Sequence, residues 1–290
     1  MSKVSRRAFL IGGAGVVVAG AAGVAGIETG VIPGRTTLHA LLGLNGEAGT
    51  IPNVTPGPAV TGEFVSAARE GAKVGWTISY PPGAAAGDSL PVVVVLHGHN
   101  GDNTTAFGAM GYEKFQAKAS SPFAMASVDG GNGYWHARRS GGDSGAMVVD
   151  EFLPLLADQG LDTSRIGLMG WSMGAYGALL LGSQLGPDRV AAIVAQSPAM
   201  WKDGAHSPDG AFDDLEDYTE HDLAGRQNEL DGIAIRIDCG TGDGFYPVVR
   251  DYVSGFPTPP AGGFEPGGHN VEYWRRVAPA ELDFLAKHLA

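Results

Sequence analysis

Few stretches constrain a chain as tightly as residues 166–174, Ile-Gly-Leu-Met-Gly-Trp-Ser-Met-Gly. A short apolar run enters it, a serine stands between two glycines, and Ala175-Tyr176-Gly177-Ala178-Leu179-Leu180-Leu181 leaves it with helix-forming apolar residues. A strand that turns abruptly into a helix at G-x-S-x-G holds the serine hydroxyl out at the carboxyl end of the strand. The glycines are there for steric reasons, because backbone must approach backbone without a Cβ in between. The Met173 N–H, at the start of the helix, can then face a developing oxyanion. Two glycines around a serine also arise by chance in a chain with 46 glycines, and only the flanking pattern gives the motif chemical content. If Ser172 is a nucleophile, an acid and a histidine must follow it in that order.

Strand and helix signals elsewhere agree with an α/β sheet. Val92-Val93-Val94-Val95-Leu96 is a continuous β-branched run, as expected of a parallel strand covered on both faces. Further strands are expected at residues 123–128, 165–169, 190–196 and 233–238, and a helix at residues 145–157. Residues 63–69 and 73–80, joined at Glu70-Gly71-Ala72, read as an antiparallel hairpin at the N-terminal sheet edge. The expectation is a mostly parallel central sheet with an antiparallel N-terminal edge and helices on both faces, occupying residues 62–290. Residues 28–61, rich in Gly, Pro and Thr, read as a linker and surface lead-in. Residues 202–232 carry ten acids against two basic residues and read as a solvated excursion over the sheet, a lid or an inert acidic face.

The order rule then selects partners for Ser172. Cys239-Gly240-Thr241-Gly242-Asp243 leaves a late strand, and Asp243 falls on the loop, whereas Asp238 belongs to the strand and Asp251 to a following helix. Cys239 reads as a small buried residue. Of the eight histidines, His269 and His288 follow this acid; His288 sits on a terminal helix face, while His269 sits in Pro266-Gly267-Gly268-His269-Asn270, just before a helix over residues 271–289. A second oxyanion donor is expected from His97-Gly98-His99-Asn100-Gly101, after the third strand, with the His99 backbone N–H as the candidate. His97 and His99 at i, i+2 could alternatively share a metal ion. Tyr134 and Trp135, on a loop at the ligand-binding end of the sheet, and Met200 and Trp201 are candidates for lining a pocket, with folding onto the core as the alternative for the aromatic pair.

Composition narrows the partners. A net charge of −12 disfavours a phosphate-backbone partner, so no nucleic acid is expected, and a single cysteine excludes an intramolecular disulfide or a multi-cysteine metal site. No cofactor and no metal are expected. Ser5-Arg6-Arg7-Ala8-Phe9-Leu10 resembles a twin-arginine export signature, and residues 8–27 follow without a charge. This segment, residues 1–27, is either cleaved, at Ala19-Gly20-Ala21 or Gly23-Val24-Ala25, or kept as a membrane tether. In both cases the twin-arginine machinery is the expected partner and the catalytic part faces outward. Lys3, Arg6 and Arg7 are the basic residues left behind, so the exported part keeps 16 of the 19 basic residues against 31 acids, near −15.

Four segments together, Val94-Val95-Leu96-His97-Gly98, Gly170 to Leu179, Gly240-Thr241-Gly242-Asp243 and Gly267 to Arg276 with its G-G-H-x-x-x-x-W pattern, resemble the esterase D and Putative esterase branch of the α/β-hydrolases. That branch includes feruloyl and acetylxylan esterases, S-formylglutathione hydrolases and the actinobacterial mycolyltransferase antigens. The resemblance runs from about Gly62 to Ala290 and implies an α/β-hydrolase fold and ester chemistry at Ser172, Asp243 and His269, with oxyanion donors at Met173 and His99. An exported serine esterase acting on a small-molecule or glycan ester is the resulting expectation. Its alternatives are an acyltransferase to a cell-envelope alcohol or sugar, and a non-catalytic envelope-binding protein on the same scaffold.

Overall fold

A computed structural model describes Gly26, Glu28 and residues 34–290. The arginine pair, the uncharged segment and the two cleavage candidates expected within residues 1–27 lie, apart from Gly26, outside the described residues. Among the described residues no helix is long and apolar enough to cross a membrane.

Among the described residues ten strands form: β1 (Ala59–Ser66), β2 (Ala72–Ser79), β3 (Pro91–Leu96), β4 (Ala124–Val128), β5 (Ala137–Arg138), β6 (Gly142–Asp143), β7 (Asp162–Trp171), β8 (Val190–Gln196), β9 (Ala234–Gly240) and β10 (Ala261–Glu265). Eight of them make one sheet in the order β1-β2-β4-β3-β7-β8-β9-β10, and β5 and β6 pair separately. The β1–β2 and β2–β4 pairings are antiparallel and all others in the large sheet are parallel. The sheet is therefore mostly parallel with an antiparallel N-terminal edge, and the hairpin turns through Glu70 and Gly71, both at positive φ.

The unbroken apolar run of β3 is divided between two cores, one on each sheet face. Val92, Val94 and Leu96 join one cluster with Leu168 and Ile193, whereas Val93 and Val95 join another with Met169 and Val194. Alternate side chains of a strand point to opposite faces, so a strand covered on both sides needs no polar alternation. Helix α4 (Met173–Leu185) and a helix over residues 144–158 (α3) cover the first face. Helices α2 (Tyr112–Gln116) and α7 (Val271–Leu289) cover the second. The middle of α3, Met147–Phe152, is wound as a π-helix, which the periodicity does not signal.

Among the elements that escape the sequence reading are β10 and a helix of the lead-in. Strand β10 is Ala-Gly-Gly-Phe-Glu; it has little apolar content of its own and exists by pairing in parallel with β9 at the sheet edge. Within the Gly/Pro/Thr-rich lead-in, Arg35–Leu41 forms helix α1. Arg35 is buried and its Nε donates to the Thr241 carbonyl at 2.5 Å, and the Gly49 N–H donates to the Glu272 carbonyl at 2.8 Å. The lead-in thus lies along the two loops that carry Asp243 and His269. Residues 202–232 run as loops with three short helical pieces, including α5 (Leu215–His221), and α6 (Tyr246–Ser254) follows β9.

Candidate active site

Strand β7 ends at Trp171 and α4 begins at Met173, which leaves Ser172 alone at the bend with φ 55 and ψ −120. A non-glycine residue at such a φ is strained, and it stays there because its surroundings fix it. The Ser172 N–H donates to the Gln196 carbonyl at 2.9 Å, while its carbonyl accepts from Ala175, Tyr176 and Ala199 N–H. A Cβ on Gly170 would sit 2.3 Å from the Gly174 backbone, and one on Gly174 would sit 1.9 Å from the Leu96 carbonyl oxygen. Both glycines are therefore required by backbone contact across the turn and onto the end of β3. Trp171, beside the serine, is buried under the turn, edge-on to Tyr112 at 6.1 Å.

Asp243 lies on the loop after β9 and is fully buried. Its Oδ1 accepts from the Phe245 N–H at 2.9 Å and its Oδ2 lies 2.8 Å from His269 Nδ1. His269 Nε2 in turn lies 2.8 Å from Ser172 Oγ. The His269 loop is shaped locally: the Gly267 carbonyl accepts from Gly242, a Cβ on Gly267 would meet the Tyr273 ring at 2.1 Å, and Asn270 caps α7 by accepting from the Tyr273 N–H. Phe245 and Trp274 stand edge-on to the imidazole at 5.1 and 5.0 Å, which confines its plane. The alternatives to Asp243 are engaged elsewhere. Asp238 pairs with Arg236 in its own strand, and Asp251 is exposed beside Arg250. Cys239 is buried, and burial first and the Asp243 charge second push its thiol well above the ordinary range, so it is not a competing nucleophile.

Met173 is the first residue of α4, where helix N–H groups have no intrahelical acceptor. His99 is exposed on the loop after β3. That loop presses onto the elbow, since a Cβ on Gly98 would be 2.6 Å from Trp171 Nε1 and 3.2 Å from its carbonyl. His97, the other histidine of this loop, is fully buried: its Nε2 accepts from the Gly130 N–H at 3.0 Å, and its Nδ1 faces the Gly98 carbonyl at 2.8 Å. Both ring nitrogens are committed, so the pairing of His97 with His99 around an ion has no free ligand atom on His97.

The pocket candidates separate. Tyr134 meets Trp201 at 5.5 Å, Phe212 at 6.0 Å and Tyr176 at 6.1 Å, and Met200 and Trp201 line a narrow cavity with Tyr176, Phe212, Tyr218 and Leu223. Trp135 corrects the expectation of a lining role. Its indole is only 1% exposed and fills the space above Gly130 and Gly177, where a Cβ would come within 2.4 Å of the ring. Two consecutive left-handed residues, Tyr134 (φ 57) and Trp135 (φ 62), make the turn. Sequence reasoning did not single out Phe212, Tyr176 or Phe245. Phe212 had a signal, a large apolar residue inside the acidic run, that would be out of place on a solvated face.

A family model described as Putative esterase matches residues 67–256. Comparison with curated proteins finds no match. Among solved structures, the chain superposes on a ferulic acid esterase at TM-score 0.69 and 20% identity, with 81% of this chain and 100% of that one covered. A fluorophosphonate-binding serine hydrolase of Staphylococcus aureus aligns at TM-score 0.65 and 19% identity, covering 80% of this chain and 99% of that one. A ferulic acid esterase of Anaeromyces mucronatus, in complex with ferulic acid, aligns at TM-score 0.62 and 16% identity over 83% and 95%. These likenesses carry the fold, the α/β-hydrolase arrangement, and the family match covers more than half of the chain. The chain belongs to the Putative esterase family.

Proposed function

We propose that this protein hydrolyses carboxylic esters through an acyl-enzyme on Ser172. The observation that supports this most is the continuous path from Asp243 Oδ2 to His269 Nδ1 and from His269 Nε2 to Ser172 Oγ, each step 2.8 Å. His269 Nε2 accepts the serine proton as Oγ attacks the ester carbonyl, and the same proton passes to the leaving alkoxide as the C–O bond breaks. Asp243, buried and pinned through its other oxygen by Phe245, keeps the imidazole in the tautomer with Nδ1–H and stabilises the imidazolium. The negative charge of the tetrahedral intermediate is met by the N–H groups of Met173 and His99. Losing one such donor costs about 100- to 1,000-fold in turnover. Water, activated by His269, then releases the acid.

Trp201 and Phe212, which line the narrow cavity with the buried Tyr134 packed against them, suit a flat or apolar acyl group, such as the ferulic acid held by the Anaeromyces mucronatus esterase. Ser172→Ala should abolish hydrolysis of short aryl esters while leaving the circular dichroism spectrum unchanged; wild-type turnover in the variant would remove Ser172 from the mechanism. Arg6-Arg7 and the uncharged residues 8–27 support a location outside the cytoplasm. Arg6→Lys with Arg7→Lys should hold the protein in the cytoplasmic fraction, and unchanged export would exclude the twin-arginine route.

A further inference from the structure

The loop leaving β4 and the acidic excursion meet along a seam of ionic contacts. Arg138 donates to the Asp213 carboxylate at 2.9 Å and to the Gly210 and Ala211 carbonyls at 2.7 and 3.0 Å. At the inner end of this seam stand His136, Asp217 and His221, none of which belongs to the site around Ser172. Asp217 and His221 are four residues apart on α5 and so share a face. The two imidazoles are stacked, with centroids 4.1 Å apart and planes 28° from parallel. Asp217 Oδ1 lies 2.9 Å from His221 Nδ1 and 3.5 Å from His136 Nδ1.

We propose that His136, Asp217 and His221 bind a divalent transition metal, zinc by the chemistry of the donors. One ligand atom from each residue falls within 4.8 Å of the others. The edge of a tetrahedral zinc site with bonds of about 2.0–2.1 Å is about 3.3 Å, so closure takes side-chain rotations that carry Asp217 Oδ1 from the Nδ1 edge of the imidazoles to their Nε2 edge. Two imidazole nitrogens and one carboxylate oxygen are a donor set zinc accepts, with the fourth position left for water.

Three features favour a ligand here over a packed polar cluster. Both Nδ1 atoms face backbone carbonyls at 2.9 Å, those of Ala137 and Asp217, and such second contacts fix the tautomer of a ligating histidine and leave the Nε2 lone pair outward. His136 is 3% exposed, and its Nε2 is buried without any hydrogen-bond partner. The second carboxylate oxygen of Asp217 accepts from the Asp213 N–H at 2.7 Å, which leaves Oδ1, now beside the two Nδ1 atoms, as the oxygen free to turn to a metal. Arg138 lies 3.8 Å from that same second oxygen, and its charge is met by Asp213 as well.

A metal at this point would tie the excursion to the wall of the candidate active site. His136 stacks on Phe212 at 5.3 Å, Phe212 meets Trp201 at 5.9 Å, Trp201 meets Phe245 at 5.6 Å, and Phe245 meets His269 at 5.1 Å.

The test uses the full chain, stripped with a chelator and dialysed, titrated with zinc chloride alone by calorimetry and followed by thermal unfolding. One zinc per chain, a dissociation constant in the micromolar range or below, and a rise in Tm are expected. His221→Ala and Asp217→Asn should each weaken binding at least tenfold with the circular dichroism spectrum and fluorophosphonate labelling of Ser172 retained, and His269→Ala should leave zinc affinity unchanged. Cobalt in place of zinc should give the visible absorption of a tetrahedral site, lost in His221→Ala. Absence of binding to the folded wild type, or binding that survives in the folded His221→Ala and Asp217→Asn variants, would overturn the proposal.

Discussion

The substitution Asp243→Asn separates a hydrogen-bonded acid from a merely neighbouring one. Asp243 is buried, and its two oxygens have different partners: Oδ1 accepts from the Phe245 N–H at 2.9 Å and Oδ2 faces His269 Nδ1 at 2.8 Å. A backbone N–H can only be satisfied by an acceptor, so the asparagine carbonyl must take the Oδ1 position and the NH2 group must face His269. An NH2 donor there forces the imidazole into the tautomer with Nδ1 as acceptor and the proton on Nε2, pointing at Ser172 Oγ. That histidine cannot take the serine proton. The expected loss is about 10,000-fold in kcat, ~5.5 kcal/mol of transition-state stabilisation, with little change in KM. The assay is steady-state hydrolysis of a short aryl ester, with circular dichroism to establish the fold. Asp251→Asn is the control, since Asp251 is exposed beside Arg250 and surface changes of this kind stay within about 0.5 kcal/mol. Turnover of Asp243→Asn within tenfold of wild type would refute the reasoning, as would a large loss in Asp251→Asn.

Gly174→Ala should destabilise the fold by about 3 kcal/mol, read as a shift in the urea midpoint, because its Cβ would lie 1.9 Å from the Leu96 oxygen and 2.5 Å from the Leu96 carbonyl carbon, where no side chain can yield. Gly108→Ala, whose nearest contact is 3.4 Å, should be close to neutral. Glu281, fully buried in α7, is held well above the ordinary carboxyl range, by burial first and by the charge of Asp238 second. Since its folded pKa is raised, the stability it contributes is present below the unfolded value near 4.5 and is lost as pH rises toward the folded value. Glu281→Gln should therefore raise Tm at neutral pH and flatten its fall above mildly acid pH, and an unchanged pH profile would contradict the assignment.

How much could be read in advance follows from which features are local. The residues around Ser172, Asp243 and His269 are glycine turns whose steric demands are written in adjacent positions, so chain order was enough to select three side chains that meet within hydrogen-bond distance in the fold. The buried strands were equally plain, because β-branched runs such as Val92 to Val95 have few other uses. What was not legible depends on tertiary partners. Strand β10 has two glycines and forms only because β9 offers an open edge. Helix α1 gains its purpose from Thr241, far along the chain. Trp135 resembled a cleft residue in the sequence, yet the space above Gly130 and Gly177 takes its ring into the core. The cluster of His136, Asp217 and His221 joins the loop after β4 to helix α5, whose proximity no spacing announces.

The central claim is that Ser172 becomes covalently acylated with His269 as its base. Its most direct test is intact-protein mass spectrometry after mixing with an aryl ester and acid quenching, with the adduct mapped by proteolysis. One acyl group per chain on Ser172 is expected, formed in a burst of alcohol release, strongly slowed in His269→Ala and absent in Ser172→Ala. Ester turnover with no adduct, or an adduct on another residue that persists in Ser172→Ala, would contradict it.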